Sequence, residues 1–494
     1  MKFATVGQIL GILIGFVSRK VFVMCLSAEY LGLNGLFSNI LSMLALAELG
    51  VGSAIVYSLY KPIAQENTEE IKSLMRLYKQ IYTAVGVFIL IAGSALTPFL
   101  HLFIRELPNI PNIRQIYFIY VVNSAISYFF TYKRSIIIAN QKWYVVTMYH
   151  YSLYFCMNVA QMFVLWLTRD FILFLLIQTA STFAENVLLS RKADSLYAYL
   201  RDKVIQPLSL DVKNEIKKNV FAMIFHKIGS VVVFSTDNIL ISKLVGLTAV
   251  GIYSNYMLIR VGVNTITSIV FQSVSASFGN LNALASDEKK IEVFQIINFA
   301  GAWIFGFCSI CFFVLVNPFI SLWLGDEYLF PITTVFLFVT SFYLTGMRQA
   351  CLTVRDVMGL FWYDRYKPVL EVLINLIVSV ILGQIWGVNG ILAGTVISTL
   401  TTCFWIEPYV LYKYGFHCPM SEYFVKYSMY FTATFLAAII TTLICNIIPD
   451  YGIKAFFGKL VVCGVMPNLI FIGCYRNTLE FKYIISVIRM LLSR

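Results

Sequence analysis

Phe37-Ser38-Asn39 recurs as Tyr253-Ser254-Asn255, at an offset of 216, and the pair opens a longer echo. Each is followed some thirty residues on by an acidic stretch, Glu69-Glu70-Ile71-Lys72 in one case and Asp287-Glu288-Lys289-Lys290-Ile291 in the other. Trp143-Tyr144 recurs as Trp362-Tyr363 at offset 219, while Asn158 recurs as Asn375 and Ser181-Thr182 as Ser398-Thr399 at offset 217. The region from about residue 35 to 185 is thus spelled twice, inside segments that are otherwise almost continuously apolar. Such repetition reads as a duplicated membrane lobe, and two like bundles in one bilayer enclosing a substrate path is the architecture of secondary transporters.

Of 494 residues, 59% are hydrophobic and only 13% charged. That is too little polar surface for a soluble protein of this size. Crossing about 30 Å of hydrocarbon at 1.5 Å per residue takes about 20 apolar residues. The sequence offers fourteen such spans, near residues 4–26, 33–58, 81–103, 115–132, 145–167, 171–190, 219–242, 249–276, 294–317, 331–353, 369–385, 389–411, 425–447 and 455–474. The expected fold class is an all-α polytopic membrane protein.

Lysines and arginines orient these spans. With the N-terminus inside, the inner segments hold 26 basic residues and the outer segments six, the remaining five of the 37 lying within spans. Both termini are therefore expected in the cytoplasm, and the net charge of +12 is a topology signal with no bearing on nucleic acid. Trp166, Trp323 and Trp386 fall at expected outer interfaces, as belt tryptophans do. The opening Met1-Lys2-Phe3 lacks a charged region followed by a small-residue cleavage site, so the first span is expected to be retained. Ten scattered cysteines suit buried small hydrophobes better than a disulfide framework. Cys308-Ser309-Ile310-Cys311 has metal-knuckle spacing but sits in an apolar helix without a second pair, so no metal is expected.

Four parts follow along the chain: residues 1–192 with spans one to six, a polar linker 193–218 expected in the cytoplasm, residues 219–413 with spans seven to twelve, and residues 414–494 with two further spans. Six spans per lobe is an even number, so the copies enter the membrane in the same direction and are related by a pseudo-two-fold axis along its normal. No outer loop much exceeds a dozen residues, and no phosphate-cradling glycine motif is visible. Both observations weigh against a membrane-embedded polymerase or ligase.

Charges inside spans cost on the order of 3 kcal/mol each and mark functional sites. Thr5, Gln8, Ile12, Gly15 and Arg19 share one helix face, which points Arg19 toward a cavity. Lys20 lies about 100° away and reads equally as a cavity residue or as a side chain snorkelling to the interface. Asn219, His226, Ser230 and Asp237 form a second polar stripe, with Lys227 and Asn238 on its flank. Arg260, Asn264 and Thr267 share a third face, and Arg348 sits in the tenth span. Arg19, Lys227, Arg260 and Arg348, with Lys20 and Asn264, are the expected substrate ligands, because an arginine fork suits a phosphate and a lysine adds a mobile point charge. The plainer alternative is that these cations neutralise buried acids, Arg19 with Glu48, Lys227 with Asp237, Arg348 with Glu371. Glu48, Asp237 and His226 are candidates for coupling to a proton or sodium ion, since a carboxylate held away from water can take up a cation. Glu185 and Glu407 lie near inner span ends, where solvent is in reach, and are read as structural. The repeat restores packing residues but not these charges.

The segments Glu29-Tyr30-Leu31-Gly32-Leu33-Asn34-Gly35-Leu36 and Leu46-Ala47-Glu48-Leu49-Gly50-Val51-Gly52-Ser53-Ala54-Ile55 resemble the opening of the bacterial polysaccharide transporter (Wzx-type) flippases. Val250-Gly251-Ile252-Tyr253-Ser254 and Gly387-Val388-Asn389-Gly390-Ile391-Leu392-Ala393-Gly394-Thr395 resemble later parts of the same family, so the similarity runs along nearly the whole chain in diffuse glycine and apolar patterns. The resemblance implies the multidrug/oligosaccharidyl-lipid/polysaccharide (MOP) exporter fold, with two six-helix lobes alternating between inward-facing and outward-facing states. It implies a non-enzymatic flippase of the bacterial cytoplasmic membrane that moves an undecaprenyl-diphosphate-linked oligosaccharide to the outer leaflet. No cofactor beyond a coupling ion is expected, and contact with membrane lipids and with proteins of polysaccharide assembly is; the charge distribution gives no nucleic acid partner, and an internally duplicated transporter needs no second copy, so a monomer is expected. The two extra helices are expected to shelter the prenyl tail in a groove. A multidrug or organic-cation antiporter of the same fold is the alternative, and it would favour acids and aromatics over this surplus of cations.

Overall fold

The computed structural model describes residues 2–48, 51–106, 108, 110–202, 207, 208, 216, 235–449 and 452–492. Among them there is no β-strand. The chain divides into two compact units, Met1–Gly251 and Ile252–Arg494.

In the first unit the helices are α1 (Lys2–Cys25), α2 (Ala28–Leu44), α3 (Val51–Ala64), α4 (Thr68–Leu96), α5 (Ile113–Phe129), α6 (Tyr132–Ala139), α7 (Trp143–Thr168) and α8 (Phe171–Leu196). Helix α9 (Leu247–Leu284) begins in this unit and continues into the second. The second unit continues with α10 (Asp287–Trp323), α11 (Ile332–Met347), α12 (Gln349–Val357), α13 (Lys367–Trp386), α14 (Val388–Thr401), α15 (Cys403–Val410), α16 (Ser421–Asn446), α17 (Ile453–Tyr475) and α18 (Leu479–Leu492). Eleven segments among the described residues are both long and apolar enough to cross a membrane. The 17-residue α5 and the tyrosine-rich α7 are not among them. Most of the seventh expected span lies outside the described residues, which resume with helix at 235–244.

The repeat is visible in where helices begin. Ala28, Thr68 and Ile113 open α2, α4 and α5, and Leu247, Asp287 and Ile332 open α9, α10 and α11, each 219 residues later. Tyr132 and Phe171, which open α6 and α8, are answered 217 residues later by Gln349 and Val388, which open α12 and α14. Local chemistry sets several of these starts. Asn67 accepts from the Glu70 amide at 3.2 Å and donates to its carboxylate at 3.0 Å, a reciprocal cap on α4. Asp170 accepts from the Ile172 amide at 2.7 Å and the Leu173 amide at 3.3 Å, opening α8.

Close backbone approach fixes two crossings. Within the first unit, a Cβ on Gly32 would overlap the carbonyl oxygen of Leu247, and a Cβ on Gly251 would overlap that of Ala28. Ala28 and Gly32 stand 219 residues before Leu247 and Gly251, so α2 meets the first turn of α9 in a self-complementary way. In the second unit, Gly390 and Gly394 let α14 lie on α13 at Leu382 and Ser379. Asn375 donates to Thr395 at 3.1 Å and Ser379 to the Ile391 carbonyl at 3.2 Å across that hairpin. Small residues permit such contact, and polar side chains then bond across it.

Three expected spans are broken. The span at 33–58 comprises α2, a 3₁₀ turn over Ala45–Glu48, and α3. The span at 331–353 is interrupted at Arg348, between α11 and α12. The span at 389–411 breaks at Thr402, whose hydroxyl donates to the Ser398 carbonyl at 2.6 Å, before α15 and a π-turn over Leu411–Phe416. Non-helical backbone at membrane depth is tolerated where protein covers it. Thr402, Arg348 and Glu48 mark such places, and hydropathy alone reads across them.

Helix α18 has no place among the expected spans. Its sequence, Leu479 to Leu492, alternates charge and apolar residues at helical spacing. Phe481 stacks on Trp303 of α10 with ring centroids 5.8 Å apart, and Glu480 accepts from Lys426 of α16 at 2.7 Å. An amphipathic helix of this kind suits the membrane interface.

Candidate functional site

In the first unit, Arg19 of α1 is half-buried, and Tyr154 of α7 and Tyr120 of α5 are near enough to act on its charge. Tyr120 donates to Asn34 of α2 at 2.6 Å. Lys20, the next residue, is half-buried as well.

Glu48 ends the 3₁₀ turn after α2. Its carboxylate accepts from the Tyr82 hydroxyl at 2.8 Å and from the Tyr128 hydroxyl at 3.5 Å. The rings of Tyr78, Tyr82 and Tyr128 run in a tilted column with centroids 5.5 and 5.8 Å apart, and Tyr78 donates to the Gly52 carbonyl at 2.5 Å. This column is a polar thread through an apolar bundle, and Glu48 is its one carboxylate among the described residues. Asp237 is buried at 5% exposure in the helical segment 235–244. Lys227 and His226 lie outside the described residues.

In the second unit, Arg260 of α9 is 5% exposed. It donates to Ser341 and Thr345 of α11, both at 3.4 Å, and its guanidinium carbon lies 5.6 and 5.9 Å from the ring centroids of Phe338 and Phe342. Hydroxyls and aromatic faces of α11 thus make up part of the surroundings of this buried guanidinium. Asn264, one turn on, is exposed, and its carbonyl accepts from Thr267 at 3.1 Å.

Arg348 is held differently. Its guanidinium pairs with Glu407 at 2.7 Å and Glu371 at 3.3 Å. Glu407 also takes the ammonium of Lys367, which approaches Asp364 at 3.6 Å, and Asp364 is gripped in turn by Arg355. The pairing of Arg348 with Glu371, offered above as the plainer alternative, is present. Glu407 itself is 1% exposed, so the expectation that it reaches solvent is corrected: α13 and the α11–α12 junction close over it.

One constellation recurs that sequence alone does not reveal. In the first unit Glu185 of α8 lies 3.1 Å from Nδ1 of His150 on α7 and 3.6 Å from Arg134 on α6. In the second unit Glu407 meets Lys367 of α13 and Arg348. Carboxylate, arginine and a second basic residue come from corresponding stretches of the repeated sequence, with offsets of 222, 214 and 217. The reading that charges do not recur therefore fails for this triad. Offsets that slip by several residues hid it, and the matching of His150 to Lys367 at the repeat period was the available signal.

Helix α11 has a second use. On the face away from Ser341 and Thr345, Val339, Thr340 and Tyr343 line an apolar groove of about 420 Å³ together with Ile310 of α10 and Phe431 and Ala438 of α16. The same helix thus presents hydroxyls to Arg260 on one side and an apolar slot on the other.

The sequence matches no family model and no curated protein. Its fold does match solved structures. The lipid II flippase MurJ, in an inward closed conformation, is similar over 97% of this chain and 99% of that one, with a TM-score of 0.66 at 13% identity. A point mutant of the Vibrio cholerae MATE transporter VcmN is similar over 83% of this chain and 96% of its own, with a TM-score of 0.57 at 13% identity. An inward-facing multidrug resistance MATE family transporter of the MOP superfamily is similar over 81% and 94%, with a TM-score of 0.56 at 14% identity. The chain is a multi-pass helical membrane protein with the fold of the MOP superfamily.

Proposed function

We propose that the chain is an alternating-access flippase that carries an undecaprenyl-diphosphate-linked oligosaccharide from the inner to the outer leaflet of a bacterial cytoplasmic membrane, for polysaccharide biosynthesis. The observation that carries this reading is the apolar groove between α10, α11 and α16, backed across α11 by the buried Arg260. A lipid-linked diphosphate has an apolar tail that stays in hydrocarbon and a charged head that hydrocarbon rejects. A slot for the first and cations for the second answer both needs. Helix α16 belongs to the segment after residue 413, and the MurJ likeness extends over more of this chain than the MATE likenesses do.

In this reading Arg19, Lys20 and Lys227 of the first unit and Arg260 and Asn264 of the second are the candidate phosphate ligands, while Arg348 holds the fold through Glu407 and Glu371. Glu48, between two tyrosine hydroxyls, is the leading coupling site, with Asp237 and His226 as further candidates. A membrane potential negative inside favours outward movement of an anion by about 2.3 kcal/mol per charge per 100 mV. That drive acts even without ion exchange.

The test is flipping of a fluorescent lipid-linked oligosaccharide by the reconstituted protein. Arg260→Gln lowers the rate about ten- to a hundredfold, the worth of a charged hydrogen bond, and Arg260→Lys retains part of it. An unchanged rate in Arg260→Gln, or transport of an organic cation by the same vesicles with no lipid flipping, would overturn the proposal in favour of an antiporter.

A further inference from the structure

A second cavity, of about 820 Å³, lies entirely within the first unit, away from Arg19 and Glu48, along the opening turns of α4. Lys72, Arg76, Lys79, Thr83 and Val87 fall on one face of that helix by their three-and-four spacing, and all five line the cavity. Lys133 of α6 closes the opposite side.

Two of its cations are already engaged. Lys72 is 7% exposed and pairs with Glu69 at 2.6 Å and Asp202 at 3.2 Å, and Lys133 pairs with Asp194 at 2.6 Å. Arg76 and Lys79 are exposed and have no ion-pair partner among the described residues. Among the described residues the wall therefore keeps a positive surplus, presented by a guanidinium and an ammonium one turn apart. That pair matches a phosphate group, the guanidinium bidentately and the ammonium as a point charge.

The cavity changes character along α4. From Lys79 to Val87 the helix rises about 12 Å, and the lining passes from charged side chains to Ala84 and the exposed Val87. A soluble anion would use only the charged end. An amphiphile uses both, and basic pockets beside membrane helices are where anionic headgroups settle.

We propose that this cavity binds the phosphate headgroup of an anionic membrane phospholipid at Arg76 and Lys79, with an acyl chain lying along Ala84 and Val87. The site is separate from the transported substrate, so a lipid of the surrounding bilayer occupies it whatever the cargo.

Native mass spectrometry of the purified full chain, titrated with phosphatidylglycerol or phosphatidylcholine, tests this. The wild type retains phosphatidylglycerol in preference to phosphatidylcholine. Arg76→Gln combined with Lys79→Gln weakens phosphatidylglycerol binding roughly 30-fold, about fivefold for each charge removed. Lys289→Gln, an exposed cation elsewhere, leaves binding unchanged, and an unaltered melting temperature of the double variant shows that it is folded. Equal retention of both lipids, or wild-type affinity in the folded double variant, would overturn the proposal. Displacement of the lipid by inorganic phosphate at equal concentration would overturn the lipid assignment in favour of a free-phosphate site.

Discussion

Arg348 and Glu407 meet side-on, Nε to Oε2 at 3.0 Å and Nη2 to Oε1 at 2.7 Å, in the interior of the second unit. Both oxygens of the carboxylate are engaged, and Lys367 shares one of them. This pair holds the broken helix at the α11–α12 junction to α15.

Removing one partner of such a pair leaves a buried charge uncompensated. Glu407→Ala is expected to cost about 3–5 kcal/mol of stability, read as a lowered unfolding temperature in detergent. Because Lys367 and Glu407 share the same contact, adding Lys367→Met to Glu407→Ala costs less than the two changes separately, with a coupling on the order of 0.5–3 kcal/mol. Simple additivity would show that the two side chains act independently.

The groove beside α11 gives a prediction about chain length. Ala438→Trp and Thr340→Trp place a bulky ring where the apolar slot lies. Reconstituted protein carrying either change flips a long-prenyl substrate more slowly and a short-prenyl analogue at nearly the wild-type rate. Equal slowing of both would mean that the groove does not take the tail.

Glu48 is the one carboxylate on the tyrosine column among the described residues of the first unit. If it couples proton movement to transport, Glu48→Gln removes the response of flipping to an imposed pH gradient while the response to membrane potential persists. Tyr82→Phe, which deletes the 2.8 Å hydrogen bond, weakens the same response partially. A pH response that survives Glu48→Gln would move the coupling to Asp237 or His226.

The glycine crossing predicts a steric failure. Gly32→Val and Gly251→Val each drive a side chain into a backbone carbonyl, and overpacking of this sort costs about 1–3 kcal/mol or more. Expression of folded protein, followed by size-exclusion chromatography, is the measurement. Gly464→Val, at a glycine with open space around it, serves as the control that stays folded.

Most of the architecture was legible because hydropathy and repetition are local properties of the chain. Ser38-Asn39 and Ser254-Asn255 announced the duplication, and the helix starts at Tyr132 and Gln349 keep its period. The breaks at Arg348 and Thr402 were not legible, since an interrupted helix and a continuous one have the same apolar composition. The burial of Glu407 was missed for another reason. It depends on Lys367 and Arg348, which lie 40 and 59 residues away along the chain, and no span-by-span reading brings them together. The basic stripe on α4 was counted as topology, because the positive-inside rule registers how many cations a loop holds and not whether they share a face.

The crossing of α2 with α9 has a consequence for how this chain is able to evolve. At Gly32 and Gly251 each copy of the duplicated sequence abuts the backbone of the other, and each glycine is the only residue type that fits beneath the opposing carbonyl. Elsewhere the copies have drifted, to the point that Glu48 in one stands opposite Thr267 in the other at the same period. At this crossing one steric constraint acts on both copies at once, since neither helix can gain a Cβ there without displacing the backbone of the other.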